Sequence, residues 1–278
     1  MKRKQIASET VQVLQQGYYQ TPNDRIVNIT DELQQCLTKT QFYAPDRLEK
    51  ISDRILEQPP QYQQTTFSVV NETTLQGAAR LSQNEAITKI GVLNFASAKN
   101  PGGGFLKGAH AQEESLARSS GLYRSLLKAP QYYEYHRQQH TCLYSDWMIY
   151  SPQCPVFRKD DGTFLEQPYC VDFITSPAPN AGAIARNSPR EIAKIPATLH
   201  ERSQKLLALA ASYNCDALVL GAWGCGVFRN DPQRVAEIFF QHLGVGGKFW
   251  GRFQTVLFSV LDSSRGKKTY QAFCDRFS

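Results

Sequence analysis

The sequence predicts an α/β layered domain with a mostly parallel or mixed sheet, preceded by a helical N-terminal extension. Three observations carry this expectation. Strand-like and helix-like segments alternate after residue 60, two glycine-rich loops each follow a strand-like run and lead into a helical one, and Pro59-Pro60 separates this alternation from a helix-rich start. Neither proline can continue a helix, so the pair marks the boundary between an extension over 1–60 and a main domain over 61–278.

The elements follow in order. The first 60 residues read as short helices and connections: Thr30 with Asp31 and Glu32 has the form of a helix start, and Leu48, Ile51, Ile55 and Leu56 recur at helical spacing. Beyond the prolines, 66–70 reads as a strand, 73–81 as a helix, 90–95 as a strand, and 111–127 as a helix after the first glycine loop. Strands are expected at 148–150 and 169–175, a long helix at 188–212, and an apolar strand at 217–220. The second glycine loop leads to a helix capped by Asn230 or Asp231 with Pro232 in its first turn, then to a strand over 255–260 and a closing amphipathic helix.

Composition excludes several classes. Of the 278 residues 41% are hydrophobic and 20% charged, which is globular rather than disordered, and the length supports a full core without staples. The longest apolar run, 217–227, is interrupted by glycines and falls far short of the roughly 18 residues needed to span a bilayer. Met1-Lys2-Arg3-Lys4 is basic but is followed by Gln5, Ser8, Glu9 and Thr10 rather than an apolar signal core, so an intracellular, cytoplasmic protein is expected. The net charge of +6 suits an anionic ligand. The densest basic cluster, Arg265, Lys267 and Lys268, reads as a solvated helix start, and no direct DNA binding is expected. Seven cysteines without CxxC or paired Cys/His spacing suggest reduced thiols, with neither a disulfide framework nor a metal site.

The chemistry concentrates in the two loops, which fall where open α/β sheets bind ligands, beyond the carboxyl ends of strands. The first runs Asn100-Pro101-Gly102-Gly103-Gly104-Phe105 and, past His110, reaches Gln112-Glu113-Glu114. Three glycines alone read as a flexible turn, and the loop is neither a Walker loop nor a dinucleotide fingerprint. Acidic residues in the first turn of a helix also complement its dipole. Together, a close-approaching backbone and a carboxylate pair suit glycosidic cleavage. Neighbours on a helix point about 100° apart, so they cannot flank one bond as a separated pair does. One carboxylate could hold a sugar hydroxyl while the other serves first as acid and then as base, if burial beside a second anion raises its pKa. His110 has no partner in sequence and is not made catalytic.

The second loop, Gly221-Ala222-Trp223-Gly224-Cys225-Gly226-Val227-Phe228, would wrap a diphosphate with backbone N–H groups ahead of a helix. Cys225 reads as a small residue rather than a nucleophile, and Phe228 as either a core side chain or a platform beside a ribose.

Gly102-Gly103-Gly104, seven residues, then Gln112-Glu113-Glu114 resembles the motif of poly(ADP-ribose) glycohydrolases. The flanking Leu93-Asn94-Phe95-Ala96-Ser97-Ala98-Lys99-Asn100-Pro101 and Ser115-Leu116-Ala117-Arg118-Ser119-Ser120-Gly121-Leu122-Tyr123, with Gly224-Cys225-Gly226-Val227-Phe228, resemble the microbial type, over nearly the whole chain. The resemblance implies a macrodomain-like three-layer α/β/α sandwich with a mixed sheet. It implies cleavage of the ribose–ribose O-glycosidic bond of poly(ADP-ribose), from chain ends, with release of ADP-ribose and without a cofactor. Glu114 would be the acid and then the base, and Glu113 would hold ribose hydroxyls. Gly102, Gly103 and Gly104 would contact the diphosphate and distal ribose, Asn100 the distal ribose, and Gly224 to Phe228 the phosphates; Gln112 counts among the substrate-binding residues. Glu72 would stand where macrodomains carry an aspartate facing adenine, with an exposed helix start as the competing reading. A monomer that meets poly(ADP-ribose), ADP-ribose and ADP-ribosylated proteins is implied. A non-catalytic ADP-ribose reader would have no use for Gln112-Glu113-Glu114, a mono-ADP-ribosyl hydrolase would use the same pocket, and a mere scaffold would make two spaced motifs accidental.

Overall fold

The computed structural model describes residues 3–278; Met1 and Lys2, the first half of the basic start noted above, lie outside the described residues. The N-terminal part is built from α1 (Arg3–Gln16), a hairpin of β1 (Tyr18–Gln20) and β2 (Ile26–Asn28), α2 (Thr30–Lys39), β3 (Gln41–Tyr43) and α3 (Pro45–Leu56). Its three strands are missing from the sequence reading, because three residues are too few for a period of two to register. On α3 the helical spacing buries Leu48, Ser52 and Ile55.

The main run is β4 (Thr66–Val70), α4 (Thr74–Ser82), β5 (Ile90–Phe95), α5 (Gln112–Ser119), α6 (Leu122–Leu126), α7 (Pro130–Gln138), β6 (Met148–Arg158) and β7 (Phe164–Ser176). It continues through α8 (Ala181–Asn187), α9 (Ile195–Ser212), β8 (Ala217–Leu220), α10 (Pro232–Leu243), β9 (Thr255–Ser259) and α11 (Lys268–Phe277), with 3₁₀ turns at Phe105–Lys107 and Pro189–Lys194. Seven strands form one sheet in the order β3-β6-β7-β5-β8-β9-β4. The pairs from β7 to β4 are parallel, and β3 and β6 add an antiparallel edge. The sheet is mixed, and the N-terminal part supplies its outermost strand.

Alternation along the central strands makes three layers. Val92, Val219 and Leu257 face a cluster with Leu75 and Leu81 of α4, Leu116 of α5 and Tyr132 of α7. Their neighbours Leu93, Leu218 and Phe258 face the opposite cluster, with Leu48 of α3, Leu206 of α9, Phe239 of α10 and Phe273 of α11. A satellite cluster of Val13, Tyr19, Leu33 and Phe157 seats the N-terminal part.

Four predicted elements differ, one of them the strand expected at 169–175, which already begins at Phe164. The helix over 111–127 is two helices, because Ser120 is extended and bridges Val156 while the Gly121 N–H donates to Pro155 O at 2.9 Å. The strand predicted at 148–150 runs to Arg158; prolines 152 and 155 and a bulge at Gln153, whose φ is +48°, hide its length. The helix over 188–212 begins as a 3₁₀ turn and becomes regular only at Ile195. The basic cluster at 265–268 does lie at a helix start, that of α11. No helix among the described residues is long and apolar enough to cross a membrane.

Because β4, β5, β7, β8 and β9 run parallel, the segments after them emerge at one end of the sheet. They surround a cavity of about 1430 Å³.

Candidate active site

The loop after β5 leaves the sheet and is tied back where it began. Gln112 Oε1 accepts the Phe95 N–H at 2.9 Å, and Gln112 Nε2 donates to Leu93 O at 2.7 Å and Thr74 Oγ1 at 3.2 Å. The carboxamide is thereby engaged with the end of β5 and ties the first turn of α5 to it, while Gln112 also takes part in the cavity wall. Glu113 and Glu114 follow on that turn, where the unpaired amides and dipole of a helix start favour negative charge.

Both carboxylates are gripped by the loop itself. Glu113 Oε2 accepts the Ser97 N–H at 2.6 Å, and Oε1 accepts Asn94 Nδ2 at 3.3 Å. Glu114 Oε1 accepts the Gly104 N–H at 2.9 Å. Glu113 is 3% exposed. Burial pushes its carboxyl up to about 8, against the Ser97 and Asn94 hydrogen bonds, with the Glu114 charge adding to the rise. Burial thus raises one carboxyl of the pair, that of Glu113.

Gly103 has a φ of +60°, and a Cβ on it would lie 2.3 Å from Glu114 Oε1. Gly104 stands beside it on the cavity wall, and Asn100 on the exposed rim. Gly102 sits elsewhere: it is buried behind the wall, where a Cβ would come within 3.0 Å of Phe105 and 3.2 Å of Ala117. Its amide still favours the charged form of Glu113.

The second loop closes the opposite wall with Gly224, Cys225, Gly226, Val227 and Phe228. Trp223 is buried and donates to Ser176 O at 3.2 Å, anchoring the loop to β7. Gly224 has a φ of +72°, and Asn230 Nδ2 donates to Gly224 O at 3.2 Å and to Pro179 O at 2.8 Å. Of the two cap candidates, Asp231 caps α10, accepting the Gln233 N–H, with Pro232 next; Asn230 clamps the loop. Gly226 and Val227 are exposed, so their backbone is open to a ligand. Phe228 is half-buried, its ring 6.0 Å from that of Tyr144. Burial pushes the Cys225 thiol up, and the thiol reaches only Trp223 O, at 3.8 Å, which leaves no activated nucleophile.

At the end of β4, Thr73 caps α4 in a reciprocal box with Gln76, and Glu72 takes part in the cavity wall. The Glu72 carboxylate pairs with Arg80 and accepts from Ser259 Oγ at 3.2 Å. The helix start is therefore real, but Thr73 makes it. His110 also faces the cavity; burial and the neighbouring Arg3 and Arg118 cations lower its pKa. Sequence reasoning missed Asn94, Ser97 and Tyr144. Asn94 and Ser97 lie within the quoted flank of the motif, whereas nothing in sequence marks Tyr144 or Asp160, which tertiary packing brings to the cavity. Among the described residues no group of three or more His, Cys, Asp or Glu is placed to hold a metal ion.

Comparison with known proteins shows the family. Residues 7–159 match the family model described as microbial-type PARG, catalytic domain. The chain is similar to poly(ADP-ribose) glycohydrolase from Thermomonospora curvata bound to the inhibitor ADP-HPD, with 48% identity, 99% of each chain covered and a TM-score of 0.92. Another structure of the T. curvata protein gives a TM-score of 0.94 at the same identity and coverage. It is also similar to the Deinococcus radiodurans poly(ADP-ribose) glycohydrolase in complex with ADP-ribose, with 45% identity, 88% of this chain and 97% of that one covered, and a TM-score of 0.84. No curated protein matches the chain.

Proposed function

The chain belongs to the microbial-type poly(ADP-ribose) glycohydrolase family and shares its macrodomain-like fold; from that premise we propose how its own residues perform the reaction. The enzyme hydrolyses the ribose–ribose O-glycosidic bond of poly(ADP-ribose) and releases ADP-ribose, and in our reading it works from chain ends. The terminal unit lies along the cavity, its diphosphate against the open backbone at Gly226 and Val227 and its distal ribose against Gly103, Gly104 and Asn100. Phe228 flanks the ribose, and Glu72 lies toward the adenine.

Glu114 gives its proton to the departing ribose oxygen as the C1″–O bond breaks. The oxocarbenium-like ribose is then attacked by water, whose proton returns to Glu114, so the acid is regenerated. Glu113 meets the ribose hydroxyls; its raised pKa lets a protonated carboxyl donate as well as accept there. Gln112 positions both glutamates. The diphosphate sets negative charge beside the developing cation, and fixing both partners supplies much of the rate.

The observation that carries this reading is the grip on the two carboxylates: Ser97 and Gly104 amides, 2.6 Å and 2.9 Å away, hold Glu113 and Glu114 side by side at the mouth of α5. The test is release of free ADP-ribose from purified poly(ADP-ribose) by the parent and Glu114→Gln. We expect a fall of about 10²–10⁴-fold in the variant, with ADP-ribose still raising its Tm. A variant that turns over at the parent rate overturns the assignment. We also place the protein in the cytoplasm, since all seven cysteines are free thiols, and read residues 1–60 as an N-terminal extension that packs on the catalytic domain and lends β3 to its sheet.

A further inference from the structure

The cavity, at about 1430 Å³, exceeds the roughly 300–1,000 Å³ of an ordinary small-molecule site. Part of its wall is left over once the two glycine loops are assigned to a terminal ADP-ribose unit. That part is a cationic ledge: Arg3 at the start of α1, and Lys107 and His110 in the loop after β5, all exposed on the cavity.

The ledge is fixed from beneath. Phe105 is buried against Ala7 of α1 and Ala117 of α5, which holds the Phe105–Lys107 turn under α1. Gly108, with a φ of +84°, lets α1 approach so closely that a Cβ there would lie 3.1 Å from Lys4 Cγ and 3.8 Å from Arg3 Cβ. Arg118, one helical turn after Glu114, donates to Ala109 O at 2.7 Å and lies 3.4 Å from His110 Nδ1. Thr10 of α1 in turn donates to Arg118 O at 2.6 Å. The acids whose charge acts on His110 are Glu114 and Asp160, and Asp160 accepts from Thr73 Oγ1 at 2.6 Å.

We propose that Arg3, Lys107 and His110 form a subsite for a diphosphate of the departing polymer, next to the scissile bond. This inference rests on the hydrolase reading above. If Glu114 protonates the leaving oxygen, the chain carrying that oxygen must pass beside Glu114, and the ledge is the surface there. Every unit of that chain carries a diphosphate, which Arg3 and Lys107 meet as cations and His110 as an N–H donor. The subsite belongs to the polymer alone, since free ADP-ribose has nothing beyond the scissile position to place in it.

The test is a charge reversal, Arg3→Glu with Lys107→Glu, assayed on purified long poly(ADP-ribose) by release of ADP-ribose, alongside the Tm rise given by free ADP-ribose. KM for polymer should increase about tenfold and lose much of its dependence on salt, while stabilisation by ADP-ribose stays at the parent level. Should the reversal fold poorly, Arg3→Gln with Lys107→Gln should raise KM about threefold, from the same lost phosphate contacts. An unchanged KM overturns the subsite, as does an equal loss of ADP-ribose binding, which would assign the cations to the terminal unit. A parent protein that releases nothing overturns the hydrolase reading and, with it, the subsite.

Discussion

Gly103 and Glu114 are mutually exclusive with any side chain between them: a Cβ at Gly103 would lie 2.3 Å from Glu114 Oε1 and 3.2 Å from Glu113 Oε2. The backbone of the first loop is itself the floor on which the carboxylate pair rests. Gly103→Ala must displace the glutamates or the loop, and its φ of +60° disfavours alanine independently. We expect a destabilisation of about 1–3 kcal/mol, read by denaturant unfolding, and a loss of ADP-ribose release beyond what that destabilisation explains. Parent-like activity would mean that the carboxylate positions are not critical.

Glu113 makes stability pH-dependent. Its carboxyl rises from 4.5 to about 8 in the folded protein, through desolvation. Below the unfolded value both states hold the proton, and the contribution is fully present. As pH rises toward 8 the unfolded chain gives up a proton that the folded chain keeps, so this stability is progressively lost. Glu113→Gln removes the titration. The Tm of Glu113→Gln should therefore improve relative to the parent between pH 5 and 8; a constant difference over that range would show that Glu113 does not hold its proton.

Gln112→Glu separates positioning from chemistry. A glutamate can still accept the Phe95 N–H but cannot donate to Leu93 O, now 2.7 Å from the donor nitrogen, so a carboxylate faces a carbonyl. The cost should be about 1–3 kcal/mol. In steady-state kinetics kcat should fall more than KM rises, because the turn carrying Glu113 and Glu114 loses its anchor. Gln112→Asn, too short to span both partners, should not restore it.

Asn230→Ala tests the second loop. Without the Nδ2 bonds, Pro179 O loses that donor and Gly224 O keeps only the Asn230 N–H at 3.0 Å, at a cost of about 1–3 kcal/mol. Free ADP-ribose should bind about tenfold more weakly, as the loop gives up its fixed shape, while Asp231 still caps α10. Titration by calorimetry reads this directly, and parent-like affinity would place the diphosphate elsewhere.

Much of this was legible from the chain alone. The strands at 90–95 and 217–220 are found where the alternation predicts them, because central parallel strands are buried on both faces and read as apolar runs, and the half-exposed edge strand at 66–70 is found through its β-branched Thr66, Val69 and Val70. The Gly102-Gly103-Gly104 and Gln112-Glu113-Glu114 spacing located the carboxylates for a local reason: the loop that carries the glycines also donates to both glutamates. What only the tertiary structure decided depends on contacts between distant segments. Burial, not position in a motif, made Glu113 the carboxyl with the raised pKa. A Ser120 bridge to Val156 split a helix whose own periodicity was continuous. Arg3 and His110 lie 107 residues apart in sequence, yet stand on one ledge because Gly108 admits α1 against the loop, and pairing at that distance leaves no periodic trace in a sequence.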